Sequence, residues 1–461
     1  MPLFKNYIFP LFFLSCIAFT SCSDDETPMD DTQQDDDTND DDDPIELSLE
    51  IVFAKNLGGS DIDDAAAVVL ANDGGYVIAG STKSTDGDIT DKTTNDTDVW
   101  IVKTDAQGNI QWSKTYGGSD DEKATGIQKT TDGGYVISAY TRSSDGDITS
   151  GHAGFNDVWI LKISGIGDLQ WEKTYGYSGN DLAYKVIQTS DNGFLLAGVL
   201  DVSASNGEGN VGRSSGSHAG GDYWVLKLNA NGIREWSRYY GGSFTDTAYD
   251  AVETATGGYL IAGTSDSQDV DITGNIGEYD YWILNINSNG DIIWKKNFGG
   301  NEIDLVYVLT KTNDGNYLLV GDTRSADGDV TNLIGNADVW AVKINESGTV
   351  LWAKNYGDTQ FESARDVVAL SDGSFAIAAS SRSNDVNLNN NYGVNDAWLL
   401  RIDANGNFLG QKNMGGSGLD FGEGITQTAD AKIIIAGSTE SSDGDFTSTK
   451  GGKDVLLIKI E

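Results

Sequence analysis

Eleven tryptophans fall into two interleaved series, Trp100, Trp159, Trp224, Trp282, Trp340, Trp398 and Trp112, Trp171, Trp236, Trp294, Trp352, and none lies outside them. Steps within each series are 59, 65, 58 and 58 residues, with one more of 58 in the first. Continuing the period reaches Leu456 and Gly410 at one end and Phe53 at the other. Seven copies of one unit therefore fill the chain from about Ile51 to Glu461.

Within the first unit, four short runs have strand character: Ala65 to Ala71, Tyr76 to Thr82, Val99 to Thr104 and Ile110 to Tyr116. Nothing of helical period or length lies between them. Asn72-Asp73-Gly74-Gly75 joins the first two runs, and Asp105-Ala106-Gln107-Gly108 joins the last two, with echoes in later units. Asp or Asn followed by Gly supplies the positive φ that tight hairpins demand. Each unit is thus predicted to be a four-stranded antiparallel meander, and seven of them around an axis make an all-β, seven-bladed β-propeller.

A small residue recurs in the first run of most units (Ala65, Ala124, Ala183, Ala248, Ala364 and Gly422, with Val306 the exception). Small side chains suit a crowded axis, so that run is expected to be innermost. The Trp112 run is then outermost, and the C-terminal run Asp454 to Glu461 is a third strand without a fourth. Leu49 to Leu57 aligns with the outermost strand and is expected to complete the last blade, leaving no open edge.

Trp112-x-Lys-x-Tyr-Gly-Gly118 and Gly74-Gly-Tyr-Val-Ile-Ala-Gly80 resemble the bacterial seven-bladed β-propeller repeat family over about nine tenths of the chain. The resemblance implies the fold and a secreted or surface location, and no single activity. Propellers host many functions, so function is argued from sites.

The first 21 residues carry one charge, Lys5, and an apolar run from Tyr7 to Phe19, as a signal peptide does. Phe19-Thr20-Ser21-Cys22 resembles a bacterial lipobox, which makes Cys22 the expected lipid attachment site. Cys16 is the competing position, and secretion without lipid the competing fate. Ser23-Asp24-Asp25-Glu26 resembles the acidic export tag of Bacteroidetes-type surface lipoproteins. Residues 22–44 read as an acidic, extended tether, with 12 acidic and no basic residues between 24 and 43. The domain reading is therefore a signal peptide over 1–21, a tether over 22–44 and a propeller over 45–461, anchored in the outer membrane and facing outward.

The full chain has 30 basic and 71 acidic residues, a net charge of −41, which argues against nucleic-acid partners. All four prolines and both cysteines lie within the first 44 residues, so no disulfide staples the repeats.

Meander geometry places the loops between second and third strands, and those between blades, on one face, and this long-loop face is the expected functional surface. Asp86-Gly-Asp88, Asp145-Gly-Asp147, Asp269-Val-Asp271, Asp327-Gly-Asp329 and Asp443-Gly-Asp445 recur there. Blade 6 has Asp385-Val386-Asn387, and blade 3 has the insert Ser203 to Gly221. These aspartates read in two ways, as caps of backbone N–H groups or as oxygen ligands of calcium. Two further rings of acids, Asp98, Asp157, Asp222, Asp280, Asp338, Asp396, Asp454 and Asp63, Glu122, Asp181, Asp246, Asp304, Glu362, Asp420, read as structural caps.

Phe155, Tyr177, Phe244, Tyr279, Phe361 and Tyr392 lie in the long loops among polar neighbours, placed either to stack on sugar rings or to pack locally. His152 and His218 are read as loop residues. No nucleophile elbow, catalytic cysteine, zinc signature or phosphate loop is present, so no catalytic residue is assigned. The reading is a binding module for a glycan or protein. A glycan-degrading enzyme and a passive envelope element are the alternatives.

Overall fold

A computed structural model describes residues 47, 49–210, 218, 220–384 and 391–461. Cys22, the signal peptide, the tether, Asp385 to Asn387 and part of the blade 3 insert (211–217 and 219) lie outside the described residues. Unit Ile45–Glu461 is one compact body of seven four-stranded antiparallel sheets, the blades of a β-propeller.

Blade 1 comprises Asp63–Leu70, Tyr76–Thr82, Asp98–Thr104 and Ile110–Tyr116, hydrogen-bonded in that order. Five further blades repeat this order. The turns form as the sequence requires: Gly74 and Gly108 stand at φ 84° and 74°, and Asp105 Oδ1 accepts the N–H groups of Gln107 and Asn109 at 2.9 and 2.8 Å. The seventh blade takes Asp420–Gln427, Ile433–Thr439 and Asp454–Ile460 from the C-terminus and Ile51–Leu57 from the N-terminus. Ile51 pairs with Ile460 and Leu57 with Val455, which is the expected closure.

The tryptophans pack blade on blade. Trp159 of blade 2 lies in a cluster with Val77, Ala79 and Ile101 of blade 1, and Trp282 of blade 4 lies with Ala197, Tyr223 and Val225 of blade 3. Burying one such ring removes 150 to 250 Å² from water, about 4 to 6 kcal/mol at ~25 cal/mol per Å². The outer series lies beneath the next blade's turn: a Cβ at Gly167 (φ 82°) would stand 3.0 Å from the Trp112 ring. That turn position thus needs glycine for space as well as for backbone.

One expectation is corrected. The run containing Ala65 is innermost, but of its small residues only Ala65 lines the axial cavity. Ala248 packs with Tyr223 and Trp282 in a blade interface, and a Cβ on Gly422 would meet Ala379 and Ala397 of blade 6. A β-bulge follows this position in all seven innermost strands, as between Ala65 and Ala67. The extra residue re-aims the chain, so the residues after the small one line the axis.

Candidate functional site

Seven bulges place Ala66, Thr125, Tyr184, Tyr249, Tyr307, Arg365 and Glu423 around an axial cavity of about 540 Å³. The next position contributes Ala67, Gly126, Lys185, Asp250, Val308 and Asp366. The acid rings are nearly uniform from blade to blade, whereas these two positions diverge. The cavity is accordingly lopsided, with small side chains in blades 1 and 2 facing large ones in blades 3 to 7.

Three tyrosines from consecutive blades form a row. Tyr184 and Tyr249 have centroids 5.1 Å apart at 48°, and Tyr249 and Tyr307 are 5.3 Å apart at 60°. Burial pushes the Tyr184 and Tyr307 hydroxyls up to about 12, so all three are neutral donors at any ordinary pH. Tyr249 hydrogen-bonds Thr264, near the end of its blade's second strand, so the row leans toward the long-loop face.

One residue nearer the short turns, Lys185 Nζ meets Asp250 Oδ1 at 3.0 Å. Asp250 also accepts the N–H groups of Ala251 (2.6 Å) and Leu309 (3.0 Å), and Asp366 accepts those of Val367 (2.8 Å) and Ile425 (2.9 Å). Burial pushes Asp366 up to about 6, opposed by Lys185. Burial lowers the Lys185 ammonium, and Asp250 and Asp366 outweigh it, leaving its pKa raised. This network spans blades 3, 4 and 6 beneath the tyrosine row.

Arg365 sits beside the row, and Arg324 and Arg382 lie on the long-loop side of blades 5 and 6. The Arg365 guanidinium lies 4.1 Å from the Tyr307 ring. Arg324 and Arg382, each one residue past its blade's second strand, lie 5.1 and 5.5 Å from the Phe361 ring. Buried Asp322 accepts the Ser363 hydroxyl at 2.6 Å, and burial pushes its carboxyl up to about 6 although Ser363, Arg365 and Arg324 all pull it down.

The other aromatics singled out from sequence are scattered over the long-loop face. Phe155 and Phe244 are each 58% exposed and Tyr392 is 55% exposed, with Arg142 stacked 4.5 Å over Phe155. Tyr177 is half-buried against Trp224 at 6.1 Å, and Tyr279 is half-buried. Phe361 alone of the six adjoins Arg324 and Arg382. The tyrosine row itself was missed in sequence, although the divergence of one repeat position, Ala/Thr/Tyr/Tyr/Tyr/Arg/Glu, was the signal that could have found it.

In blade 1, Asp86 Oδ1 of the Asp-Gly-Asp element accepts the Ser60 N–H at 2.7 Å and Asp88 Oδ2 the Gly58 N–H at 2.9 Å. Asp145 and Asp147 cap Ser119 and Gly117 alike, Asp327 and Asp329 cap Asn301 and Gly299, and Asp443 and Asp445 cap Ser417 and Gly415. Asp269 caps Ser243, and the Asp271 N–H donates to Gly241 O. The capped glycines follow the preceding blade's outermost strand, so each element ties neighbouring blades together. Among the described residues, no three His, Cys, Asp or Glu side chains gather as a metal site.

Both acid rings are buried. Asp304 accepts the Gly300 N–H at 2.7 Å and the Ser325 hydroxyl at 2.8 Å, together with the Thr323 hydroxyl. Asp280 Oδ2 accepts the Ile276 N–H at 2.7 Å, while its Oδ1 is buried without a partner, as are those of Asp98, Asp157, Asp222 and Asp396. The two rings meet in pairs across the glycine after five of the seven outermost strands: a Cβ on Gly299 would lie 2.3 Å from Asp280 Oδ1 and 2.7 Å from Asp304 Oδ2. Burial, with the facing acid adding to it, pushes Asp280 up to about 7. The histidines join these caps: His218 Nδ1 meets Asp222 Oδ2 at 2.5 Å, and His152 adjoins Asp157.

Fold and site together define a seven-bladed β-propeller with an asymmetric, aromatic and charged axial cavity. No family model matches the chain. It is 21% identical over 361 residues to the regulatory protein FlaEY of Caulobacter vibrioides, covering 71% of this chain and 37% of that protein's length. Among solved structures it resembles YCF48 bound to a D1 peptide (TM-score 0.45, 8% identity, 88% of this chain and 93% of that one). Sqt1 from Chaetomium thermophilum is similar (TM-score 0.44, 10% identity, 90% and 99%), as is a puromycin hydrolase mutant complexed with PGG (TM-score 0.45, 8% identity, 81% and 50%). At such identities no function passes from these proteins to this chain.

Proposed function

We propose that this chain is a surface-anchored lipoprotein, acylated at Cys22, whose propeller binds a glycan in the axial cavity entered from the long-loop face. The observation that carries the reading is the Tyr184-Tyr249-Tyr307 row facing the small side chains of Ala66 and Thr125 over a charged floor. Tyrosine rings stack on apolar sugar faces while their hydroxyls stay polar, and the volume falls in the range of ligand pockets, roughly 300 to 1,000 Å³. Rigid blades hold these groups without a folding cost on binding.

A second reading, glycan hydrolysis, draws on Asp322 and Asp366, both held at about 6 within or beside the cavity, since a raised carboxyl acts as a general acid. A glycan array with the full-length chain, followed by turnover assays on its hits, separates the two. Binding without turnover, lost in Tyr249→Ala, supports the module. Turnover lost in Asp366→Asn supports the hydrolase. Glycan hits indifferent to Tyr249→Ala and Tyr307→Ala refute the cavity as the site.

A further inference from the structure

Three of the chain's eight arginines lie on blades 5 and 6 of a chain whose net charge is −41: Arg365 in the axial cavity against Tyr307, and Arg324 and Arg382 on the long-loop side against Phe361. Repetition does not explain them, because the positions matching Arg365 in other blades carry Ala, Thr, Tyr or Glu. The Arg365 guanidinium hydrogen-bonds Tyr307, while its Nη1 is buried without a hydrogen-bond partner. The nearest carboxylate, Glu423, stands 4.0 Å from its Nε, beyond hydrogen-bonding reach. Arg324 and Arg382 are exposed and form no ion pair among the described residues. Both rest on Phe361.

Buried donors are ordinarily paired, so the orphaned N–H of Arg365 marks the place where an acceptor belongs. The acceptor's charge is limited by its surroundings. Asp322, Glu423 and Asp366 lie in the same region, and a polyanion is repelled by the body as a whole. A planar, singly charged carboxylate fits a guanidinium fork in two parallel hydrogen bonds, and the adjacent tyrosine row supplies the surface for a ring attached to it.

We infer that the cavity takes a sugar acid, with the carboxylate held by Arg365 and the rim arginines Arg324 and Arg382, and the ring laid on Tyr307 and Tyr249. This rests on the glycan-binding reading above and specifies its ligand class. The probes are D-glucuronate, its neutral methyl ester, D-glucose and inorganic phosphate, titrated calorimetrically into the full-length chain.

Glucuronate is expected to bind, with the ester and glucose about tenfold weaker or more, the loss of one charge-assisted pair, and phosphate weaker for want of a ring. Arg365→Gln and, independently, the exposed Arg382→Gln should each weaken glucuronate by a similar factor while leaving the ester unchanged. The rim variant keeps the test open should Arg365→Gln fold poorly. Equal binding of acid and ester, phosphate binding as tightly as glucuronate, or no glucuronate binding at millimolar concentration overturns the inference. If acid and ester bind equally and Tyr249→Ala weakens both, the carboxylate is wrong and the glycan cavity stands. If glucuronate binds and neither Tyr249→Ala nor Tyr307→Ala alters it, the cavity reading fails.

Discussion

Replacing Asp280 with asparagine should stabilise the protein most at pH 8, by less than half as much at pH 5, and hardly at all below about pH 4. Asp280 is fully buried, its Oδ1 lacks a partner, and its pKa stands at about 7 against an ordinary 3.8. Between roughly pH 4 and pH 7 the folded chain keeps a proton that the unfolded chain has released, so the contribution is full below about pH 4, falls steadily from there to about pH 7 and levels off above it. At pH 8 the ionised carboxylate costs about 1.36 kcal/mol for each tenfold gain in proton affinity on folding, or about 4 kcal/mol as a ceiling. Asparagine retains an acceptor for the Ile276 N–H and presents an amide to Asp304 across Gly299. Unfolding entropy of ~2.1 cal/mol/K per residue, taken over Ile45–Glu461, comes to roughly 0.9 kcal/mol/K, so the melting temperature should rise by up to about 5 °C at pH 8. Calorimetric scans of wild type and Asp280→Asn at pH 5, 6, 7 and 8 measure this. A gain of equal size at every pH, or a loss at pH 8, refutes the buried-proton argument.

Deleting residues 45–57 exposes the edge of Asp454–Ile460 and should lower the melting point by several degrees or cause aggregation, whereas deleting 23–43 should leave it unaltered; identical behaviour of the two truncations would undo the closing-strand assignment. Asp327→Ala removes the cap on Asn301 and should cost about 1 kcal/mol to the same extent in EDTA as in millimolar calcium, and a calcium-dependent loss would instead give this element a metal. Fatty-acid labelling in cells should vanish in Cys22→Ala and persist in Cys16→Ala, and the reverse result moves the anchor.

Repeat number, strand limits, turn chemistry and closure could be read in the sequence because each depends on local pattern: Trp100 recurs as Trp159, and Asp105-x-x-Gly108 as Asn287-x-x-Gly290. The capping of Ser60 by Asp86 was legible for the same reason, since short acids beside glycine-rich loops bind backbone. The inward-facing residues were not. A bulge displaces the two-residue alternation by one, and nothing in Asp63-Asp64-Ala65-Ala66-Ala67 announces it. Ala183 and Ala248 were therefore assigned to the axis that Tyr184 and Tyr249 occupy, and the same shift hid Tyr307 beside Val306. The arginine contacts were equally invisible, because Arg324 reaches Phe361, and Arg365 reaches Tyr307, only when blades 5 and 6 stand side by side.

The pairing of Ile51 with Ile460 joins positions 409 residues apart (460 − 51), whereas neighbouring strands inside blade 1 join positions such as Val99 and Tyr116. Loop-closure entropy grows as 1.5RT ln n, so this contact costs about 3 kcal/mol more to bring together than the local one. Six blades can condense in order as the chain lengthens, but Ile51–Leu57 has no partner until Asp454–Ile460 exists. A chain stalled before its last strand would be an arc with a free edge at each end, open to pairing with another copy of itself. The ring is therefore sealed last and slowly, and the interval before sealing is when the molecule is most exposed to misassembly.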